Sequence, residues 1–149
     1  LHHHQTLLQN LLDNLPAIVY VKDLQGRYTL VNRYAADLLH LDKFQIVGKT
    51  TEELFPPEIA AEWSRRDWQV LATGQPVEAE DSFPGPDGQM QTYAAIVYPL
   101  HDAHGKISAF AGISTDITAR KQAEAALRNS ETRLRNIINH AIYFENMND

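Results

Sequence analysis

Two strand-like segments, a run of helical segments and three more strand-like segments follow one another along this chain. That order predicts an α+β fold built on a single antiparallel sheet. Three observations carry the prediction. Residues 17–22 (AIVYVK) and 27–31 (RYTLV) are rich in β-branched and aromatic side chains, and Asp23-Leu24-Gln25-Gly26 between them reads as a hairpin turn. From residue 32 to residue 73 the apolar residues recur at helical rather than alternating spacing. From residue 77 three strand-like segments follow, the first alternating weakly and the second (90–100) clearly, separated by turn sequences rich in Gly, Pro and Asp. The helices gathered in the middle must cover one face of the sheet, which leaves a natural place for a cavity between them.

The elements follow in order. Residues 5–14 put Leu7, Leu8, Leu11 and Leu12 on one broad face of a short amphipathic helix, and Pro16 prevents its continuation. After the first hairpin, Asn32 is a helix cap ahead of Ala35, Ala36, Leu38 and Leu39. Residues 44–47 and 51–54 read as short helical turns, the first closed by Gly48 and the second by Pro56 and Pro57. Residues 58–73 form the clearest internal helix, with Ile59, Ala60, Trp63, Val70 and Leu71 near helical spacing and Gly74 at its end. Residues 77–83, 90–100 and 107–115 are the last three strands. Pro84-Gly85-Pro86-Asp87-Gly88 and Asp102-Ala103-His104-Gly105 turn the chain between them.

Composition narrows the function. The 149 residues suit one domain with extensions, and 44% are hydrophobic, enough for one core. A formal net charge of −6 with no basic stripe argues against nucleic acid as a partner. The absence of cysteine excludes disulfides, thiolate metal sites and cysteine nucleophiles. No apolar run approaches a membrane span and no signal-peptide layout opens the chain, so a cytoplasmic domain is expected. His2, His3 and His4 fit a purification-tag remnant as well as a native start. A phosphate loop, a metal-spaced His/Glu pair and a nucleophile elbow are all missing, so no enzyme activity and no catalytic or metal-binding residue is expected.

Val47-Gly48-Lys49-Thr50, the segment from Asp87-Gly88 to Tyr93, the Pro99-Leu100…Asp102…Gly105 hairpin, and Gly112 to Thr118 with Arg120-Lys121 together resemble the PAS family over about residues 7–121. The resemblance implies a five-stranded antiparallel sheet, short helices on one face and a pocket between, in a sensor module upstream of a histidine kinase or cyclic-dinucleotide enzyme. It divides the chain into a flanking helix (1–15), the PAS domain (16–117), a signalling helix (118–140) and a tail (141–149).

Within that frame, Tyr34, Trp63, Trp68, Tyr93, Val97, Phe110 and Ser114 are candidate pocket residues. The plainer account is that they only fill the core. Light-sensing flavin members form a cysteinyl adduct, which this chain cannot make, and haem members place an axial His on the long helix, where residues 58–73 have none. A non-covalently held flavin or another small molecule is compatible with the residues, and the ligand's identity is left open. Asp116, Thr118, Arg120 and Lys121 are candidate relay residues, with the Asp116 carboxylate placed to pair with Arg120 or Lys121 and to accept backbone N–H bonds.

Beyond them Ala123, Leu127, Ser130, Leu134 and Ile137 are spaced four, three, four, three, a heptad seam that favours a homodimer. Packing of that helix on its own sheet is the rival. Residues 134–140 also echo residues 8–14, and Ala141-Ile142-Tyr143-Phe144 echoes Ala17-Ile18-Val19-Tyr20, as if a second domain of the same kind began here. The expected function is a ligand-binding sensory domain that signals through its last helix to an output domain in the same chain. The alternative is a ligand-free module that dimerises and relays.

Overall fold

Pro16 and Pro57 bracket the first half of the domain as proline dictates, one ending a helix and the other opening one. The computed structural model describes residues 2–85 and 87–147. Helix α1 (His2–Asp13) leads into strands β1 (Ala17–Asp23) and β2 (Tyr28–Val31). Helices α2 (Arg33–Leu39), α3 (Lys43–Ile46), α4 (Thr51–Leu54) and α5 (Pro57–Thr73) follow, then β3 (Val77–Pro84), β4 (Met90–His101), β5 (Ile107–Asp116) and α6 (Thr118–Met147).

Local chemistry explains most boundaries. In the β1–β2 turn the Asp23 carboxylate accepts from the backbone N–H groups of Gln25 and Arg27, each at 2.9 Å. Asp42 and Gln45 form a reciprocal capping box around α3, and Thr50 caps α4 by accepting from the Glu53 N–H. Helix α5 stops where Gly74 takes a left-handed conformation at φ 68°. Strand β3 carries Pro84 at its end; it lies at the sheet edge, where a missing N–H is tolerated. Of the turn expected at residues 84–88, Gly85 accepts from the Gly88 N–H, while Pro86 lies outside the described residues.

The five strands form one antiparallel sheet, as expected, and the structure sets their order as β2-β1-β5-β4-β3. Register sets the inner face. Ile18 pairs with Ser114, Tyr20 with Gly112 and Lys22 with Phe110. On the other side of β5, Ala95 pairs with Ser114 and Val97 with Gly112. The Tyr20 ring packs close to Gly112, where a Cβ would collide with it, so this strand position requires glycine. Two buried clusters form the core: Tyr28, Val31, Ala35, Ala36 and Ile46 under the short helices, and Val70, Val97 and Phe110 under α5.

The chain separates into two units, one through Asp116 and the other from Ile117. The second is α6. It runs unbroken to Met147, so residues 141–147 are helical where their counterparts 17–20 form a strand. Residues 148 and 149 of the expected tail lie outside the described residues.

Candidate ligand cavity and its buried ion pairs

Strand parity turns Ile18, Tyr20, Ala95, Val97 and Ser114 inward, and these five form the floor of a cavity of about 230 Å³. Edge strand β3 adds Asp81, Phe83 and Pro84. The roof comes from the helices, chiefly Ala35, Leu38 and Leu39 of α2, Ile46 of α3, and Ile59, Trp63 and Arg66 of α5. Phe55, in the link between α4 and α5, completes one end.

Aromatic rings continue from this wall. Trp63 meets Phe55 edge-on with centroids 4.7 Å apart and Phe83 edge-on at 6.4 Å. Phe83 then stacks on Tyr93 at 4.7 Å with the rings 5° from parallel. Tyr93 is fully buried and pairs across the sheet with Asp81 on one side and Asp116 on the other. Its hydroxyl donates to the Gln91 side chain and is hydrogen-bonded to Tyr34. Burial, then the Tyr34 contact, then the charge of Asp116 push the Tyr93 phenol well above its ordinary range.

Two ion pairs sit in or behind the wall. Arg66 grips Asp81 through two parallel bonds, 2.8 and 2.6 Å, and its Nε reaches Glu62 at 3.4 Å. The bonds to Asp81 raise the Arg66 guanidinium's affinity for its proton against the opposing effect of burial. Deeper, Lys22 is 2% exposed, and its Nζ donates to Asp67 at 2.7 Å and to Thr51 at 2.5 Å. The same Nζ lies 4.9 Å from the centre of the Tyr28 ring and 5.5 Å from that of Tyr20. Burial raises the Asp67 carboxyl despite the lysine beside it, and burial raises the phenols of Tyr20 and Tyr28. Among the described residues no buried side-chain nitrogen or oxygen lacks a hydrogen-bond partner.

Of the seven candidate pocket residues, Trp63, Val97 and Ser114 line the cavity. Tyr93 lies one layer behind it, against Phe83, with Tyr34 at its hydroxyl. Phe110 belongs to the cluster under α5. Trp68 corrects the expectation: it is 61% exposed on the outer side of α5. Five residues after Trp63 is well over a quarter-turn away on a helix, so the two indoles cannot share a face.

The charged residues went unread, although their positions carried a signal. Lys22 has the parity of Ile18 and Tyr20, and Asp81 that of Val77, Ala79 and Phe83. Arg66 and Asp67 stand three and four residues after Trp63, on the buried face of α5. His40 caps α2 in a left-handed conformation, φ 56°, exposed and outside the cavity wall. Among the relay candidates, Arg120 directs its Nε to Glu124 at 3.6 Å along α6, and Asp116 is the last residue of β5. No cluster of three or more metal-ligating side chains occurs among the described residues, and no helix there is long and apolar enough to cross a membrane.

Known proteins bear on the same region. The methanogenesis regulatory histidine kinase FilI of Methanothrix harundinacea is 31% identical over 80% of this chain, and the chain spans 13% of that kinase. A diguanylate cyclase of Vibrio cholerae is 29% identical over 76% of the chain, which spans 36% of the cyclase. The Vibrio cholerae VqmA dimer superposes with a TM-score of 0.68 at 27% identity, covering 80% of this chain and 52% of VqmA. VqmA bound to DPO gives a TM-score of 0.66 at the same identity over 78% and 57%. Domains of this kind thus occur within signalling proteins. The model of the PAS fold family matches residues 12–122, and the chain belongs to that family.

Proposed function

We propose that this domain is a ligand-gated sensory module that signals through α6 to an output domain in the same chain, working as a homodimer inside the cytoplasm. The single observation behind the reading is the cavity. Protein interiors are close-packed with few voids larger than a water molecule, and a cavity of about 230 Å³ between sheet and helices is room that a small ligand can use. The similar VqmA has been seen with DPO bound, and that supports the ligand arm of the proposal.

The route out of the cavity is the ring sequence Trp63, Phe83, Tyr93, ending beside Asp116, the last residue before the link to α6. A ligand that shifts the half-buried Phe83 presses on Tyr93, because the two rings are stacked in contact and Tyr93 is fully buried. Along α6, Leu127, Leu134 and Ile137 are each about 60% exposed, and the helix is unbroken to Met147, so the seam continues four and three residues on through Ala141 and Phe144. A helix of that length, about 45 Å, with an apolar stripe is suited to pairing with a second copy.

Native mass spectrometry of the purified protein tests the sensory arm. Bound mass of a small molecule is the expected result; protein that stays empty, whatever metabolite extract is offered, leaves only the dimerising relay. Sedimentation of the full chain against one ending at Thr118 tests the dimer. We expect a dimer for the first, a monomer for the second, and a monomer for the full chain carrying Leu134→Glu; equal monomers throughout sink the claim.

A further inference from the structure

We infer that the cavity takes an uncharged, flat molecule of one or two rings whose polar edge meets the Arg66–Asp81 pair, an inference that rests on the ligand-sensing reading above. Size sets the first limit. A cavity of about 150 Å³ holds benzene, and pockets for drug-sized ligands begin at about 300 Å³. At about 230 Å³ this one lies between them. A flavin's three fused rings and chain, or a haem macrocycle, exceed it.

Charge sets the second. Arg66 is doubly bonded to Asp81, and Lys22 is committed to Asp67 and Thr51. Each pair is internally neutral, so an anionic or cationic ligand would enter a low-dielectric space with its charge uncompensated unless a pair broke. Shape and the polar edge set the third. The edge-on contacts of Trp63 with Phe55 and Phe83 leave flat ring walls. Both members of the Arg66–Asp81 pair face the cavity. The bonds from Arg66 to Asp81 and Glu62 do not exhaust the guanidinium N–H groups, and the carboxylate oxygens keep lone pairs. A ligand with an acceptor next to a donor, as along the edge of a cyclic amide, satisfies both groups at once without separating them.

Isothermal titration of the full chain with benzene, 2-quinolone, 2-naphthoate and FMN tests this. Ala95→Leu, which fills the cavity floor, serves as control. The expected result is 2-quinolone binding at least tenfold more tightly than benzene or 2-naphthoate, no FMN binding, and loss of all binding in Ala95→Leu. Asp81→Asn keeps the size and shape of the side chain but removes the doubly bonded carboxylate, leaving Arg66 with only the longer contact to the solvent-exposed Glu62. It should reverse the order, so that 2-naphthoate outbinds 2-quinolone. Wild-type binding of 2-naphthoate or FMN as tight as that of 2-quinolone, and sensitive to Ala95→Leu, overturns the ligand class while the cavity reading stands. So does 2-quinolone binding no tighter than benzene. Failure to take up even benzene overturns the cavity reading and this inference with it.

Discussion

At position 32 one amide side chain makes four hydrogen bonds. Its oxygen accepts from the N–H groups of Val19 and Ala35, and its nitrogen donates to the carbonyls of Leu12 and Ala17. Asn32 is fully buried, so its loss would leave the buried N–H groups of Val19 and Ala35 without this acceptor, while the Leu12 carbonyl would keep the Leu15 N–H. Asn32→Ala should lower stability by about 3 kcal/mol, combining a lost helix cap with stranded backbone groups. Asn32→Asp should be no milder, since its second oxygen would face two carbonyls. Urea unfolding of both variants checks this. The Lys22–Asp67 pair behaves differently. Lys22→Met leaves a buried carboxylate alone and should cost about 3–5 kcal/mol, whereas Lys22→Met with Asp67→Leu should recover most of it.

The pH dependence of Asp67 has a definite sign. Its folded pKa is raised by burial, so its contribution to stability is complete below the ordinary carboxylate value and is lost as pH rises through the raised one. Unfolding midpoints compared with Asp67→Asn should therefore favour the wild type most on the acid side. A difference that grows with pH would contradict this.

Among the elements, those fixed by local chemistry were readable. The Asp23–Gly26 turn, the Asn32 cap, the stop at Gly74 and all five strands follow from neighbours in sequence. The cavity was half readable. Parity says that Tyr93 and Val97 both point inward, but not that one reaches the cavity while the other end of the row lies behind Phe83; depth along a face depends on tertiary register. The buried charges were missed because a lysine in a strand and an Arg-Asp step in a helix are usually solvated. Only their coincidence with the inward phase marks them, and their partners lie 15 and 45 positions away. At this scale Tyr93→Phe is informative. It keeps the stack on Phe83 and removes the hydroxyl contacts with Gln91 and Tyr34. With the domain joined to a histidine kinase output, Asp116→Ala should weaken the response to ligand several-fold while Tyr93→Phe leaves binding affinity intact and blunts output. A ligand affinity that falls with output would place Tyr93 in the pocket instead.

For the whole molecule, the sheet order matters more than any one contact. Its central neighbours β1 and β5 come from opposite ends of the domain, with Ala17 paired to Thr115, about a hundred positions on. Non-local pairing of this kind is slow to form and leaves the earlier strands without their main partner until it does. A chain ending at Lys106 should show no cooperative unfolding transition by circular dichroism, while one ending at Thr118 should unfold cooperatively. A cooperative transition in the shorter chain would mean that β1–β4 and the helices hold a core without β5.

The same Ala17–Thr115 pairing has a consequence for gene architecture. Cross-strand neighbours stand about 5 Å apart, so the polypeptide enters and leaves the sheet at nearly one point. A module with its doorway in one place can be spliced into a host chain, duplicated or removed with little change in the distance between the segments on either side. Tandem copies then cost a protein little rearrangement, and each new copy can vary its interior independently.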